Sequence, residues 1–122
     1  MIPRFLDLVD LDFFLVANPY TLMEQDVLDD EFPLCEERNV GIVIGAVFSS
    51  GILVTGAIEG AKHNYADATP EDLDKVRRME AVCRSHRIPL PAAALQFPFG
   101  HPCVASVIPG AFQPQHVEQN IA

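Results

Sequence analysis

The chain has 122 residues, enough for one domain with a sizeable core but too few for two. Apolar residues make up 49% of it, which excludes a disordered chain. The net charge of -9 repels phosphate backbones and anionic lipid, so we expect the protein to bind neither nucleic acids nor membranes. It has no basic segment typical of a signal peptide, no apolar run long enough to span a bilayer, and three cysteines without CxxC spacing, so we expect a cytoplasmic protein with reduced thiols.

Three apolar runs of strand length predict a sheet. They read DFFLVAN over residues 12–18, VGIVIGAVF over residues 40–48 and CVASVI over residues 103–108. Because apolar residues in these runs do not alternate with polar ones, we expect parallel strands that are buried on both faces. The long segments between the runs can supply the helical crossovers that parallel strands require.

The segment between the first two runs predicts a helix over Gln25–Arg38. Its residues Leu28, Phe32 and Cys35 lie at i, i+4 and i+7 and form one apolar stripe. Pro33 departs from this pattern, because a proline inside a helix removes a hydrogen bond and clashes with the preceding turn. We therefore expect Pro33 to kink the helix or to confine its regular part to one side.

The segment between the second and third runs begins with a Gly-rich loop over Ser49–Gly60. Thr69 then predicts the start of a helix, since Thr at the N-cap with Asp72 three residues later resembles a capping box. Residues 91–97 predict a short second helix, and Pro114 opens a last one.

The order of these elements alternates strand and helix, which predicts an α/β fold with a parallel sheet. Three parallel strands alone bury little and leave two open edges, and a small flavodoxin-like sheet would need more strands. The βαβαβ run fits part of an eight-stranded barrel. A small doubly wound sheet stays open as the alternative, and in either case we predict one domain over residues 1–122.

Three segments carry motifs that together span nearly all of the chain. They read DLDFFLVANPYTLMEQ over residues 10–25, NVGIVIGAVFSSGILVTG over residues 39–56, and RIPLPAAALQFPFGHPCVASVIPGAFQPQHVEQNIA over residues 87–122. These motifs resemble the C-terminal part of the aldo/keto reductase family, and most of all its branch of aldose 1-dehydrogenases. The resemblance implies a parallel βαβαβ half of a (β/α)8 TIM barrel, about strands six to eight. For the parent family it implies transfer of hydride from the anomeric carbon of a small sugar to a nicotinamide cofactor.

The resemblance also implies two cofactor-binding loops. The loop after the second predicted strand would cradle the pyrophosphate with Val47, Phe48, Ser49, Ser50 and Gly51. The adenosine end would lie against Ile108, Gly110, Ala111, His116 and Asn120. Members that prefer NADP carry Lys or Ser-Arg groups in this second region, so their absence here favours NAD over NADP in a completed barrel. Without the resemblance, the first loop is more typical of an ordinary Gly/Ser turn, and Asn120 of a solvated residue on a terminal helix.

The family's catalytic Asp, Tyr, Lys and His precede the segment that this chain resembles, and no residue here matches them. Ala17 and Gly45 stand where many members contact the nicotinamide, and Tyr20 falls at a family tyrosine. We therefore expect a truncated oxidoreductase that carries the cofactor side of the barrel and is inactive alone. The alternative is a non-catalytic half-barrel that forms a homo-oligomer or complements a missing N-terminal half.

The histidines and cysteines show no spacing typical of a metal site. For His63 we expect a solvated loop position, with a substrate pocket as the alternative. His101 precedes a proline and predicts a turn, and Cys103 opens an apolar run and predicts a small core residue.

Overall fold

Three parallel strands lie side by side in the computed structural model, which describes all 122 residues: β1 (Phe13–Ala17), β2 (Gly41–Gly45) and β5 (Val104–Ile108), in that order. Two short antiparallel strands, β3 (Lys62–His63) and β4 (Ala66–Asp67), form a separate hairpin. The elements are α1 (Ile2–Leu6), β1 (Phe13–Ala17), α2 (Glu31–Glu37), β2 (Gly41–Gly45), α3 (Ile52–Thr55), β3 (Lys62–His63), β4 (Ala66–Asp67), α4 (Pro70–Ser85), α5 (Leu90–Gln96), β5 (Val104–Ile108) and α6 (Pro114–Ile121). This arrangement confirms the α/β prediction with a parallel sheet.

The middle strand of the sheet is β2. On one side Ala17 of β1 pairs with Gly45 of β2, and on the other side Gly45 pairs with Ile108 of β5. Because all three strands run in the same direction, their last residues meet at one edge of the sheet, which we call the carboxyl edge. The loops that follow β1, β2 and β5 are therefore brought together there, although they are far apart in the sequence.

Helices cover only one face of the sheet. On the covered face Ile42 and Ile44 are 0% and 1% exposed. On the opposite face, which we call the open face, Phe13, Leu15 and Ile108 are 60%, 62% and 55% exposed. The prediction that the strands are buried on both faces is therefore wrong for this chain, because no second layer packs against the open face.

The core consists of two clusters under the helical layer. Phe32 and Cys35 of α2 are fully buried against the sheet together with α1. Ile52, Leu53 and Val76 form the centre of the second cluster, between α3, α4 and α5. Full burial of a large aliphatic or aromatic side chain stabilises the fold by about 1.5–3 kcal/mol. The covered face thus supplies the apolar burial that holds the strands in place.

The helix predicted over residues 25–38 is divided. Asp26–Leu28 forms one turn of 3-10 helix, and the regular α2 begins only at Glu31. Pro33 is the third residue of α2, in the first turn, where backbone N–H groups have no acceptor inside the helix and a proline therefore costs no hydrogen bond. In a longer helix the ring of Pro33 would clash with the carbonyl of Asp29. Pro33 thus confines the regular helix to its own side, as predicted, and Leu28 is left 36% exposed outside the stripe.

The second predicted strand is also shorter than its apolar run. It ends at Gly45, and Ala46 has a φ of 53°, a left-handed conformation that no strand residue adopts. The loop predicted over Ser49–Gly60 contains the short helix α3, and the β3–β4 hairpin that follows it was not predicted.

The start of α4 confirms the predicted capping box. The N–H of Asp72 donates to Thr69 Oγ1 at 3.1 Å, and the N–H of Thr69 donates to Asp72 Oδ2 at 2.9 Å. Such a cap stabilises a helix by about 1 kcal/mol. No helix of the structure combines the length and the apolar character needed to cross a bilayer.

Candidate functional site at the carboxyl edge

Two loops that the sequence singled out lie next to each other at the carboxyl edge. One follows β2 and spans residues 46–51; we call it the post-β2 loop. The other begins at Ile108, the last residue of β5. Because Gly45 and Ile108 are paired across the sheet, both loops leave from neighbouring positions. The carboxyl ends of parallel strands are where open α/β sheets and barrels bind ligands.

The post-β2 loop has an unusual backbone. Ser49, Ser50 and Gly51 follow one another with φ values of 48°, 59° and 102°. Left-handed serines each carry about 1–3 kcal/mol of strain and persist only where the surroundings hold them. The N–H of Ser49 donates to the carbonyl of Ala46 and the N–H of Gly51 donates to that of Phe48, both at 2.9 Å, so of the three N–H groups that of Ser50 is left for a ligand.

Both serine side chains are held by neighbouring loops. Ser49 Oγ donates to Thr21 Oγ1 at 3.1 Å, and Thr21 is fully buried and also accepts the N–H of Glu24 at 3.3 Å. Ser50 Oγ accepts the N–H of Tyr65 at 3.0 Å. The loop that follows β1 and the β3–β4 hairpin therefore stabilise the strained conformation of the post-β2 loop from two sides.

The remaining predicted residues of this loop contribute through their backbone. The side chain of Val47 is fully buried in the first core cluster, and Phe48 packs against both clusters. Beside Gly51 the space is open, since a Cβ built there meets no atom within 4 Å, and the same holds for Gly110. The two loops thus leave room at this edge for a ligand that contacts the backbone.

The loop after β5 and the helix α6 are largely exposed. Gly110 and Ala111 are exposed, and the ring of His116 meets the ring of Phe112 edge-on at 4.5 Å between centroids. Asn120 Nδ2 donates to the carbonyl of Gly110 at 3.5 Å, so α6 folds back toward the loop. Neither the post-β2 loop nor residues 108–122 contain a Lys or Arg, so these two segments offer an anion no permanently charged side chain.

Tyr20, in the loop that follows β1, is buried in the first core cluster. It is 5% exposed, and its ring packs against those of Phe32, Phe97 and His101 at 4.9, 5.2 and 6.1 Å. Burial, together with Cys103, raises the pKa of Tyr20 above its ordinary value. Tyr20 is therefore a core residue, and His101, predicted to lie in a simple turn, contributes its ring to the same aromatic cluster.

His63 is not the solvated loop residue that the sequence predicted. Its side chain is 11% exposed, with Nε2 3.4 Å from Glu24 Oε1 and Nδ1 3.2 Å from Asp72 Oδ1. Metal ligands converge on one point, whereas these two carboxylates lie against different nitrogens of the ring, and no group of side chains here could hold a metal ion. Burial opposes ionisation of Asp72, but hydrogen bonds from Thr69 and His63 outweigh it and lower the pKa of this carboxyl.

Comparison with known proteins relates this geometry to one family. The model of the aldo/keto reductase family matches residues 7–122. The chain is 40% identical over 112 residues to the D-threo-aldose 1-dehydrogenase of Pseudomonas sp, covering 91% of this chain and 34% of the relative. It is 39% identical over 117 residues to the pyridoxal 4-dehydrogenase of Microbacterium luteolum, covering 95% and 34%.

A solved structure agrees with these relatives in fold. The apo form of an aldo-keto reductase from Bacillus halodurans superposes with a TM-score of 0.76 at 23% identity, over 98% of this chain and 40% of that one. At this identity the likeness establishes the fold alone. The chain spans about a third of the length of the curated relatives that it matches.

Proposed function

Since the chain belongs to the aldo/keto reductase family, an oxidoreductase family whose model matches residues 7–122, we propose that it is the cofactor-binding part of an NAD(P)-dependent enzyme of the aldose 1-dehydrogenase type. In this proposal β1, β2 and β5 are strands six, seven and eight of a (β/α)8 barrel, in one partial-barrel domain. The identity of 40% to a D-threo-aldose 1-dehydrogenase supports the substrate class, a small sugar oxidised at its anomeric carbon.

The observation that carries the proposal is the post-β2 loop. Ser49 to Gly51 are held in a left-handed conformation next to open space, at the edge of the sheet where such ligands bind. There the backbone would hold the pyrophosphate, while Gly110 and Ala111 with Asn120 would lie along the adenosine. When bound, the nicotinamide ring supplies the hydride acceptor; this chain's residues contribute binding and orientation, and the open face would form part of the barrel interior.

We further propose NAD rather than NADP as the cofactor. A 2′-phosphate adds negative charge that an enzyme usually neutralises with Lys or Arg. Residues 108–122 contain neither and include Glu118, while the whole chain carries a net charge of -9. Binding of a 2′-phosphate near Gly110, Ala111 and His116 is therefore unfavourable at neutral pH.

Catalysis by the 122 residues alone is not part of this proposal. Proton transfer in the parent family depends on four residues that have no counterpart in this sequence. We expect the purified chain to give no NAD(P)-dependent oxidation of L-fucose or D-arabinose above a blank without protein. Turnover that survives removal of contaminating enzymes would contradict this.

The decisive test places this segment in a complete barrel. Residues 7–122 replace the matching third of the Pseudomonas D-threo-aldose 1-dehydrogenase, and binding of NADH and NADPH is followed by their fluorescence. Gly51→Asp introduces a carboxylate into the open space beside the post-β2 loop and should abolish binding. Gly60→Asp is the matched control, because Gly60 also has a positive φ, 77°, and open space around it, but lies in the turn before β3.

The outcomes separate the parts of the proposal. We expect the chimera and Gly60→Asp to bind NADH more tightly than NADPH, and Gly51→Asp to bind neither. A folded chimera that binds no dinucleotide, or Gly51→Asp that binds as well as Gly60→Asp, would refute the assignment of the loop. Tighter binding of NADPH would refute only the preference for NAD.

The open face supports a second proposal, for the chain by itself. Phe13, Leu15 and Ile108 expose apolar side chains on one continuous face of a sheet. Apolar patches of this kind on a soluble protein mark interaction sites. We propose that two copies of the isolated chain pack these faces together and form a homo-oligomer.

A further inference from the structure

The β3–β4 hairpin has no part in the sequence-based account of the site. Its backbone ladder is short: Lys62 pairs with Asp67 and His63 with Ala66, and the N–H of Ala68 donates to the carbonyl of Ala61 at 2.9 Å. An isolated two-stranded hairpin is marginally stable in water. Contacts with the rest of the protein must therefore hold it in place.

While Ala61 and Ala68 pack against the second core cluster, His63 supplies a largely buried polar contact. Its ring lies between Glu24, which belongs to the loop after β1, and Asp72, which belongs to the first turn of α4, at 3.4 and 3.2 Å. Asn64 adds a hydrogen bond from Nδ2 to Glu24 Oε1 at 3.0 Å. One imidazole thus contacts two segments besides its own hairpin, the loop after β1 and α4.

The same three segments lead to the post-β2 loop. Glu24 lies in the turn of Thr21, whose hydroxyl accepts from Ser49. The hairpin places the N–H of Tyr65 on Ser50 Oγ. Polar contacts therefore link Ser49 to the hairpin through Thr21, Glu24 and His63. Within the hairpin the chain continues to Tyr65, whose N–H contacts Ser50.

Other charges near His63 are already engaged. Lys75 of α4 donates to the carbonyl of Met23, and Lys62 pairs with Asp67 within the hairpin. No other cation contacts Glu24 or Asp72, so the imidazole is the group that bridges these two carboxylates.

We propose that His63 is a positioning residue, which fastens the β3–β4 hairpin to Glu24 and Asp72 and so keeps Ser49 and Ser50 in the conformation that binds the dinucleotide pyrophosphate. The last clause rests on the function proposed above. The fastening itself does not, because it can be measured without any cofactor.

The chemistry of imidazole makes this fastening dependent on pH. The protonated ring has two N–H groups and can donate to both carboxylates, whereas the neutral ring has one N–H and can donate to only one of them. Hydrogen bonds between charged partners are the stronger ones. The protonated ring should therefore hold the hairpin more firmly than the neutral ring does.

Hydrogen–deuterium exchange of the 122-residue chain tests the fastening. We compare the peptide that covers residues 61–68 with one that covers β2, after correction for the intrinsic pH dependence of exchange. In His63→Ala the hairpin peptide should lose protection about tenfold at pH 6, as expected for one lost charged hydrogen bond, while β2 keeps its own. His86→Ala is the matched control, since it removes an exposed histidine at the end of α4.

The pH profile distinguishes positioning from a merely structural role. Between pH 5 and 8 the unmodified chain should show a step in hairpin protection that is absent in His63→Ala and present in His86→Ala. In the chimera described above, His63→Ala should weaken NADH binding about tenfold. Unchanged hairpin protection, or a step that persists without His63, would overturn the fastening; altered protection with unchanged NADH affinity would overturn its effect on the site.

Discussion

Replacement of Leu15 on the open face should weaken self-association without weakening the fold. Phe13, Leu15 and Ile108 are 60%, 62% and 55% exposed, and complete burial of such a side chain contributes about 1.5–3 kcal/mol. The area still exposed therefore corresponds to about 1–2 kcal/mol for each side chain. For a symmetric pair, the three side chains on both copies contribute roughly 6–12 kcal/mol.

This sum lies within the range of about 4–15 kcal/mol that association costs in lost freedom of motion, so each side chain matters. Leu15→Thr introduces a β-branched residue, which strands favour, and removes most of the apolar contribution of Leu15, about 2–4 kcal/mol for a pair. The dissociation constant should rise roughly 30- to 700-fold. Sedimentation velocity over a range of concentrations measures this change, and urea unfolding checks that the fold is retained.

Val82→Thr is the matched control. Val82 is 60% exposed, but it lies on α4 and not on the open face, so its replacement should leave association unchanged. Equal association of the two variants would refute the reasoning. So would an unmodified chain that remains a cooperatively unfolding monomer at micromolar concentrations.

Three further predictions concern single residues. Thr21→Val should lower the free energy of unfolding in urea by about 1–3 kcal/mol, because the hydroxyl of Ser49 and the N–H of Glu24 lose a fully buried acceptor. The control is Thr55→Val, since the hydroxyl of Thr55 contacts only the neighbouring residue, and an equal loss in the two variants would contradict this. Burial raises the pKa of Cys103 to about 11, and the neighbouring Cys35 and Glu36 add to this effect. Iodoacetamide, followed by mass spectrometry, should therefore modify Cys103 slowly at pH 8 and rapidly only near pH 11. Fast labelling at pH 8 would be inconsistent with this. Folding lowers the pKa of Asp72, so the ionised carboxylate stabilises the protein above its unfolded pKa, and this stabilisation is lost as the pH falls through the folded pKa. Acid unfolding should show this loss in the unmodified chain and not in Asp72→Asn. Identical acid-unfolding profiles of the two proteins would contradict the prediction.

Local patterns in the sequence predicted the elements of the fold. The apolar runs located β1, β2 and β5 to within a few residues, and the capping box at Thr69 located the start of α4, because strand propensity and helix capping depend on neighbours in the chain. Pro33 correctly indicated that its helix is confined to one side, since the steric effect of proline is also local. The family, and with it the two loops of the candidate site, followed from motifs that span almost the whole sequence.

Only the tertiary structure decided which faces and side chains meet. An apolar strand can be covered on one face or on both, and the sequence pattern of β1 does not distinguish the two cases. The contacts around the post-β2 loop join residues that are 28, 15 and 40 positions apart: Ser49 with Thr21, Tyr65 with Ser50, and Asn64 with Glu24. No local pattern marks such pairs, because parallel strands bring their carboxyl ends together only after the crossovers have formed. His63 therefore resembled a solvated loop residue in the sequence, and folding placed it between two carboxylates.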